Sequence, residues 1–248
     1  MAPEARADAG AMLRVCLEPE PPPWSYWARD AQGNKTKELT GFSVELMRKV
    51  FERAGLKIKF EGSLPWARCI RSVSWGEIDF AMEMYYTDER ARTFAFSHSY
   101  NTLTPQIYFL KSLPVTANKP ADLKRYRGCG VRDVSYQHYG VNSKDLDLSV
   151  DVETAVYKLK GGKCDYFLEE LEELEGYRLM GKDFASDPAL ASAPAPWAQP
   201  PTSHLVARRN SPAAALMPRI DLAIDQMISS GEAARLWARF SSAASYRP

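Results

Sequence analysis

The chain has 248 residues, 45% hydrophobic and 25% charged, with a formal net charge of +1. That composition belongs to a globular protein long enough for one large core or two smaller ones. No basic excess points to nucleic acid, no charge run suggests a tail, and no apolar stretch approaches the roughly 20 residues a membrane helix needs. Four cysteines, Cys16, Cys69, Cys129 and Cys164, form no CxxC and have no His cluster beside them, which argues against a zinc site. Their even number fits two disulfides in an oxidising compartment, and it fits four buried thiols equally well. Residues 1–12 are Ala-rich and polar and lack the apolar core of a signal peptide, so either the chain is cytoplasmic or its leader is missing.

Leu13–Leu17 reads as a first strand that runs into Glu18-Pro19-Glu20-Pro21-Pro22-Pro23, where no sheet can continue because prolines lack donors. Trp24, Tyr26 and Trp27 follow at once. Ligands of α/β sheets sit outside the carboxyl ends of strands, so these aromatics are candidate walls of a site, or else they pack the loop onto its sheet. Asp30–Leu39 carries the turn signal Gly33-Asn34 and reads as a small hairpin or exposed loop. Phe42, Leu46, Val50 and Phe51 recur at helical spacing up to about Ala54, and Gly55 stops the helix. Leu56–Phe60 alternates as a half-buried strand. Pro65 suits the start of a helix running to about Val73.

Trp75–Tyr100 carries the most information. Gly76-Glu77-Ile78-Asp79 is a turn feeding a short apolar strand, Phe80–Met84, in which Glu83 is the one carboxylate. Tyr85, Tyr86, Thr87 and Arg90 form its rim, with Thr87 placed to cap a short helix. Arg offers a planar fork of donors that matches a carboxylate bidentately, so this strand end is a candidate small-molecule site. Thr102–Leu110 then reads as a buried crossing strand, with a hinge near Thr104-Pro105. A strand at Cys129–Arg132 and another at Leu148–Asp151 follow, then a helix capped by Asp151. Gly162–Glu170 repeats the Gly76–Met84 pattern of Gly, Asp, apolar strand and acid. This echo argues for two similar lobes. Ala185–Pro201, rich in Ala, Pro and Ser, reads as irregular. Thr202–Ala207 is a returning strand, and Leu216–Ile228 is a helix with Ile220, Ala223, Ile224 and Met227 on one face.

Several motifs together resemble the family 3 bacterial extracellular solute-binding proteins. They are G-F-x-x-E-L at Gly41–Leu46, P-W-x-R at Pro65–Arg68, G-x-I-D at Gly76–Asp79, T-x-x-R at Thr87–Arg90, F-x-F-S-x-x-Y at Phe94–Tyr100 and A-D-L-K at Ala121–Lys124. The returning strand and the Gly231–Trp237 ending extend the resemblance over Leu13 to Phe240. It implies an α/β, two-lobed type II periplasmic-binding-protein fold, each lobe a mixed, mostly parallel sheet flanked by helices, with two hinge crossings. Lobe 1 would hold residues 13–104 and 204–248 and lobe 2 residues 105–203, with residues 1–12 outside both. It also implies periplasmic residence, with the signal peptide absent from this sequence, no cofactor, a monomer, and ABC importer permease subunits or a membrane sensor as partner. Within-lobe disulfides Cys16–Cys69 and Cys129–Cys164 would suit it, with free thiols the alternative.

The resemblance further implies that Arg90 holds a ligand carboxylate. Trp66 is then a stacking wall beside Trp24, Tyr26 and Tyr85, and Arg68 is a second anion contact or the partner of a nearby carboxylate. Glu83 either steadies Arg90 or meets a cationic group. In lobe 2, Ser135 and Tyr136 match a turn leading into a helix whose N-terminal amides face the ligand. Glu170 matches the acid that takes a ligand ammonium, with Glu169 turned to the other side. Against that, the acid-rich run 168–175 could be a plain exposed helix start. The expected function is thus a receptor that closes two lobes on a small polar, carboxylate-bearing, amino-acid-like solute and delivers it to an ABC importer. One alternative is a ligand-sensing module for a membrane signalling partner. Another is a dehydratase-like enzyme on the same fold, with Glu83 or Glu170 as an acid of raised pKa, although the three histidines form no recognisable catalytic pair.

Overall fold

The computed structural model describes residues 12–19, 22–241 and 244–248. The Ala-rich start up to residue 11 and the Glu20-Pro21 step of the Pro-rich loop lie outside the described residues. Met12, expected outside both lobes, opens the first strand. In chain order the elements are β1 (Met12–Cys16), β2 (Tyr26–Arg29), β3 (Lys35–Thr40), α1 (Phe42–Arg53), β4 (Lys57–Glu61), α2 (Trp66–Trp75) and β5 (Phe80–Tyr85). Next come β6 (Phe94–Phe96), β7 (Asn101–Thr102), β8 (Pro105–Leu110), α3 (Pro120–Leu123), β9 (Gly128–Val131), β10 (Leu146–Ser149) and α4 (Val152–Lys160). The last are β11 (Tyr166–Glu170), α5 (Leu171–Gly176), β12 (Leu190–Pro194), β13 (Thr202–Arg208), α6 (Met217–Ser229) and α7 (Glu232–Trp237).

The chain divides into two compact units. Unit 1 takes the described residues up to Thr102 and those from Thr202 onward, and unit 2 is Leu103–Pro201. The sheet of unit 1 has the order β4-β1-β5-β13-β6, with β7 also paired to β13. Strand β1 runs parallel to β4 and β5, and β13 returns antiparallel to β5, β6 and β7. Alternation assigns its two faces. Phe80 faces α1, where its ring meets Phe51 edge-on at 5.4 Å. Cys16, Ala81 and Val206 face α2 and pack with Cys69 and Val73. The Cys16–Cys69 disulfide joins β1 to α2 across that face.

The sheet of unit 2 has the order β10-β9-β11-β8-β12, parallel around β9 and antiparallel where β8 meets β11 and β12. On one face Phe167, Cys129 and Tyr108 pack under α4 through Val152, Val156 and Leu159, and Cys129–Cys164 closes a disulfide there. On the other, Tyr166 and Leu168 join Ile107, Tyr136, Tyr139 and Leu146. Strand β9 needs glycine at Gly128, because a Cβ there would lie 2.4 Å from the Tyr166 ring paired across from it. Asp151 caps α4, its carboxylate accepting the Thr154 N–H at 2.7 Å.

Two expectations are corrected. Ala185–Pro201 is not wholly irregular: Leu190–Pro194 forms β12, an edge strand on β8. Its Ala, Ser and Pro residues lack β-propensity, and an edge position tolerates proline because one row of donors goes unpaired. After Ser135 the chain forms only a three-residue 3₁₀ turn, Gln137–Tyr139, which Gly140 ends with φ 65°. A turn of that length aligns too few peptides to present a helix N-terminus to an anion.

Candidate functional site

The expected site in unit 1 lies at the carboxyl end of β5. There β5 does not run evenly against β13. Ala81 pairs with Val206 and Met84 with His204, so Met82 and Glu83 together stand opposite Leu205. This is a β-bulge, and Glu83 takes its strain as a non-glycine residue at φ 67°. The Glu83 N–H, displaced from the ladder, donates to the phenol oxygen of buried Tyr100 at 2.8 Å. Its carboxyl is turned toward the loop before β2, where Oε2 lies 3.1 Å from Ser25 Oγ. Oε1 is buried and, among the described residues, makes no hydrogen bond of ordinary geometry, with the Ser43 hydroxyl close to the carboxyl. Burial, above all, and the nearby Glu18 charge push the Glu83 pKa up to about 8, against weaker lowering by the Ser43 and Ser25 hydroxyls.

Arg90 begins a 3₁₀ turn, Arg90–Arg92, and its N–H donates to Thr87 Oγ1 at 3.2 Å. Thr87 therefore does the capping read for it. The guanidinium is partly buried, which lowers its pKa from the usual value, and Nη1 donates to the Tyr85 carbonyl at 3.0 Å. Among the described residues, no carboxylate lies within salt-bridge distance of Arg90. The expectation that Glu83 steadies Arg90 is thereby corrected: the bulge sends the Glu83 carboxyl to Ser25 instead. Tyr85 is half-buried on the same strand end, and Tyr86 is exposed and packs edge-on against Phe96 at 5.1 Å.

The aromatic candidates divide. Trp24 is buried and stacks on Trp237 of α7 at 5.4 Å, which makes it a packing residue here. Tyr26 is buried as well, in the β2–β3 hairpin. Their loop is fixed by the start of α1, where the Phe42 and Ser43 N–H groups donate to the Pro23 and Trp24 carbonyls at 2.7 and 3.0 Å. Only glycine permits this approach, since a Cβ on Gly41 (φ 122°) would sit 2.4 Å from the Trp24 carbonyl oxygen. The G-F motif thus positions Ser25 and Ser43 beside Glu83. Trp66 is half-buried against the Cys16–Cys69 face, and Arg68 is exposed on α2. No carboxylate pairs with Arg68 among the described residues.

In unit 2, Tyr136 belongs to the core, where its phenol oxygen accepts the Val131 N–H at 2.6 Å. Ser135 lines a shallow surface depression with Gln137, Asn142 and Ser143. Glu170 ends β11 and is buried. Burial raises its pKa, but His138, whose Nε2 lies 2.7 Å from Oε1, brings the net shift below the usual carboxylate value. Glu169 is buried too and accepts the Glu170 N–H at 3.0 Å; burial and then the charges of Glu173 and Glu170 raise its pKa. Glu172 accepts both the N–H and the hydroxyl of Thr104, at 2.9 and 2.6 Å. The exposed-helix reading of this acidic run is therefore corrected, since three of its carboxylates are buried. Glu169, Glu170 and Glu173 each offer an oxygen within 4.8 Å of the others, an arrangement that could hold a cation. Sequence reasoning missed Ser25, Ser43, Tyr100 and His138. Tyr100 ends the F-x-F-S-x-x-Y motif but was given no role in the site, the other three stand at no telling spacing, and only the fold brings the four to an acid.

The sequence matches the bacterial extracellular solute-binding proteins, family 3, over residues 13–243, and the chain belongs to that family. It has the type II periplasmic-binding-protein fold. A histidine kinase sensor domain with similarity to periplasmic binding proteins superposes with a TM-score of 0.75 at 20% identity, over 96% of this chain and 98% of that one. The substrate-binding protein of an amino acid ABC transporter gives 0.74 at 16% identity, over 93% and 99%. An amino acid ABC transporter substrate-binding protein from Streptococcus pneumoniae, bound to L-arginine, gives 0.72 at 23% identity, over 93% and 97%. No curated protein matches the sequence.

Proposed function

We propose that the chain is a periplasmic receptor for a small carboxylate-bearing, amino-acid-like solute, which it hands to an ABC importer. The observation that carries this reading is Arg90. Its guanidinium is partly desolvated and fixed on the Tyr85 carbonyl, yet among the described residues it has no carboxylate partner. A buried cation without a partner is costly, and a ligand carboxylate would remove that cost through charge-assisted hydrogen bonds. Family membership and the amino-acid-binding proteins of the same fold support the same class of solute. Of the four expected aromatic walls, Tyr85 and Trp66 stay partly exposed and are the candidates to flank it, with exposed Arg68 as a candidate second contact.

A second reading, solute sensing for a membrane signalling partner, is favoured by the likeness to a kinase sensor domain. Both readings place the same ligand on Arg90 and differ only in what the receptor then touches. The family and the similar structures are binding proteins, so the proposal is of binding and not turnover.

Thermal unfolding against amino acids, small dicarboxylates, polyamines and sugars tests the proposal, because a ligand of the folded state raises the midpoint by mass action. A carboxylate-bearing compound should raise it, and Arg90→Ala should abolish the shift. A shift that survives Arg90→Ala unchanged, or chemical conversion of the bound compound, would contradict the proposal.

A further inference from the structure

Unit 2 concentrates acid where β11 runs into α5. Glu169 and Glu170 are each 2% exposed, and Glu173 one turn on is half-buried. One carboxylate oxygen from each of the three lies within 4.8 Å of the others. Like charges held so close in an interior are costly unless a proton or a cation separates them. Among the described residues Glu169 makes no ion pair, and after burial the groups that act on it are the Glu173 and Glu170 carboxylates. A phenol beside them lacks a partner. Tyr108 is 4% exposed, and its hydroxyl makes no hydrogen bond. It pairs with Phe167 across β8 and β11, which puts its side chain on the face of Glu169 and diagonal to it. Burial, and then the charge of Glu169 ahead of Glu175, Glu172 and Glu170, drives its pKa well up. Glu175 Oε2 is likewise buried without a hydrogen bond. Buried polar atoms left in this way need a reason. We propose that Glu169, Glu170 and Glu173 bind a calcium ion within unit 2, and that a water on the ion accepts the Tyr108 proton.

The donor set selects the ion. Three carboxylates and a phenol present oxygen alone, which suits a hard cation and not zinc or copper. Oxygens on a calcium shell of roughly 2.3–2.6 Å radius lie at most about 5 Å apart, which agrees with the spacing of these three. Magnesium keeps several waters of its own, and two buried carboxylates leave little room for them. His138 fixes the Glu170 carboxylate through the 2.7 Å contact of Nε2 with Oε1, as outer partners do for the carboxylates of metal sites. Glu173, the half-buried member, marks the side from which an ion enters. Glu170 then meets an inorganic ion and not the solute ammonium that the family resemblance implies for it. The inference stands apart from the receptor reading, because every residue it uses belongs to unit 2 and none touches Arg90.

The test is calorimetric titration of the full chain, first stripped with a chelator, with calcium chloride and magnesium chloride, alongside thermal unfolding with the same salts. Calcium should bind one to one and raise the unfolding midpoint, and magnesium should do so less at equal concentration. Glu173→Gln changes the half-buried position and so disturbs the fold least. It should weaken calcium binding at least about tenfold, and Glu169→Gln should weaken it as much or more. If Glu169→Gln fails to fold, Glu173→Gln decides alone. No calcium binding at millimolar concentration, magnesium binding tighter than calcium, or calcium binding unchanged in Glu173→Gln overturns the inference. If L-arginine or putrescine binds and Glu173→Gln abolishes that binding while calcium does not bind, the cluster takes an organic amine, and the inference fails while the receptor reading stands. Calcium binding that needs Glu173, in a chain that binds no carboxylate-bearing solute, upholds the inference and removes the receptor reading.

Discussion

A single bulge in β5 separates the two charged residues that sequence order places seven positions apart. Arg90 keeps an open guanidinium edge, and Glu83 turns to Ser25, Ser43 and Tyr100. The pH dependence of folding should report the second arrangement. The pKa of Glu83 rises from 4.5 to about 8 on folding, so the folded state binds more protons between those values. Stability from this group is present at low pH and lost as pH rises through about 8. The unfolding midpoint of the natural chain should therefore fall more steeply between about pH 5 and 8 than that of Glu83→Gln. Parallel slopes would contradict the assignment. Tyr136 makes a second residue-level test. Its phenol accepts the Val131 N–H inside unit 2, so Tyr136→Phe leaves a buried donor unpaired and should cost about 1–3 kcal/mol in urea unfolding. Solute affinity should be unchanged, because the ring belongs to the core.

At the scale of elements, strands and helices with a clear period were legible. The apolar spacing of Phe42, Leu46, Val50 and Phe51 gave α1, and the Gly76–Met84 and Gly162–Glu170 echo gave β5 and β11 at matching places in the two sheets. Strand β12 was not legible, because what makes it a strand is the edge of β8 and not its own Ala, Ser and Pro residues. The bulge was not legible either, since it is a mismatch between β5 and β13, far apart in sequence. The cysteine pairs needed the fold as well: Cα atoms 5.8 Å apart in both bridges are a property of packing. Replacing Cys129 and Cys164 together by Ser should destabilise the folded state by about 2–5 kcal/mol, read from a lower urea midpoint, with Cys16–Cys69 intact. An unchanged midpoint under oxidising conditions would show that the bridge does not form.

For the whole molecule, the order of modest motifs from Leu13 to Phe240 pointed to the family that the match over residues 13–243 establishes. Within the candidate site, the hydrogen bond from the Arg90 N–H to Thr87 was legible because T-x-x-R is local in sequence. The neighbours of Glu83 and the His138 partner of Glu170 were not, because each contact joins segments that only the sheets bring together. The account centres on one claim: the Arg90 guanidinium at the end of β5, which has no carboxylate partner among the described residues, is the carboxylate clamp of a receptor. The most direct test is calorimetric titration of L-arginine into the natural chain, Arg90→Ala and Arg90→Lys. For whichever carboxylate-bearing solute raises the unfolding midpoint, L-arginine serving only as a first probe, saturable one-to-one binding is predicted, weakened by roughly 2–5 kcal/mol in Arg90→Ala and only partly restored by Lys, which lacks the planar fork. Equal affinity in all three proteins would contradict the claim and make Arg90 a structural residue of the turn after β5.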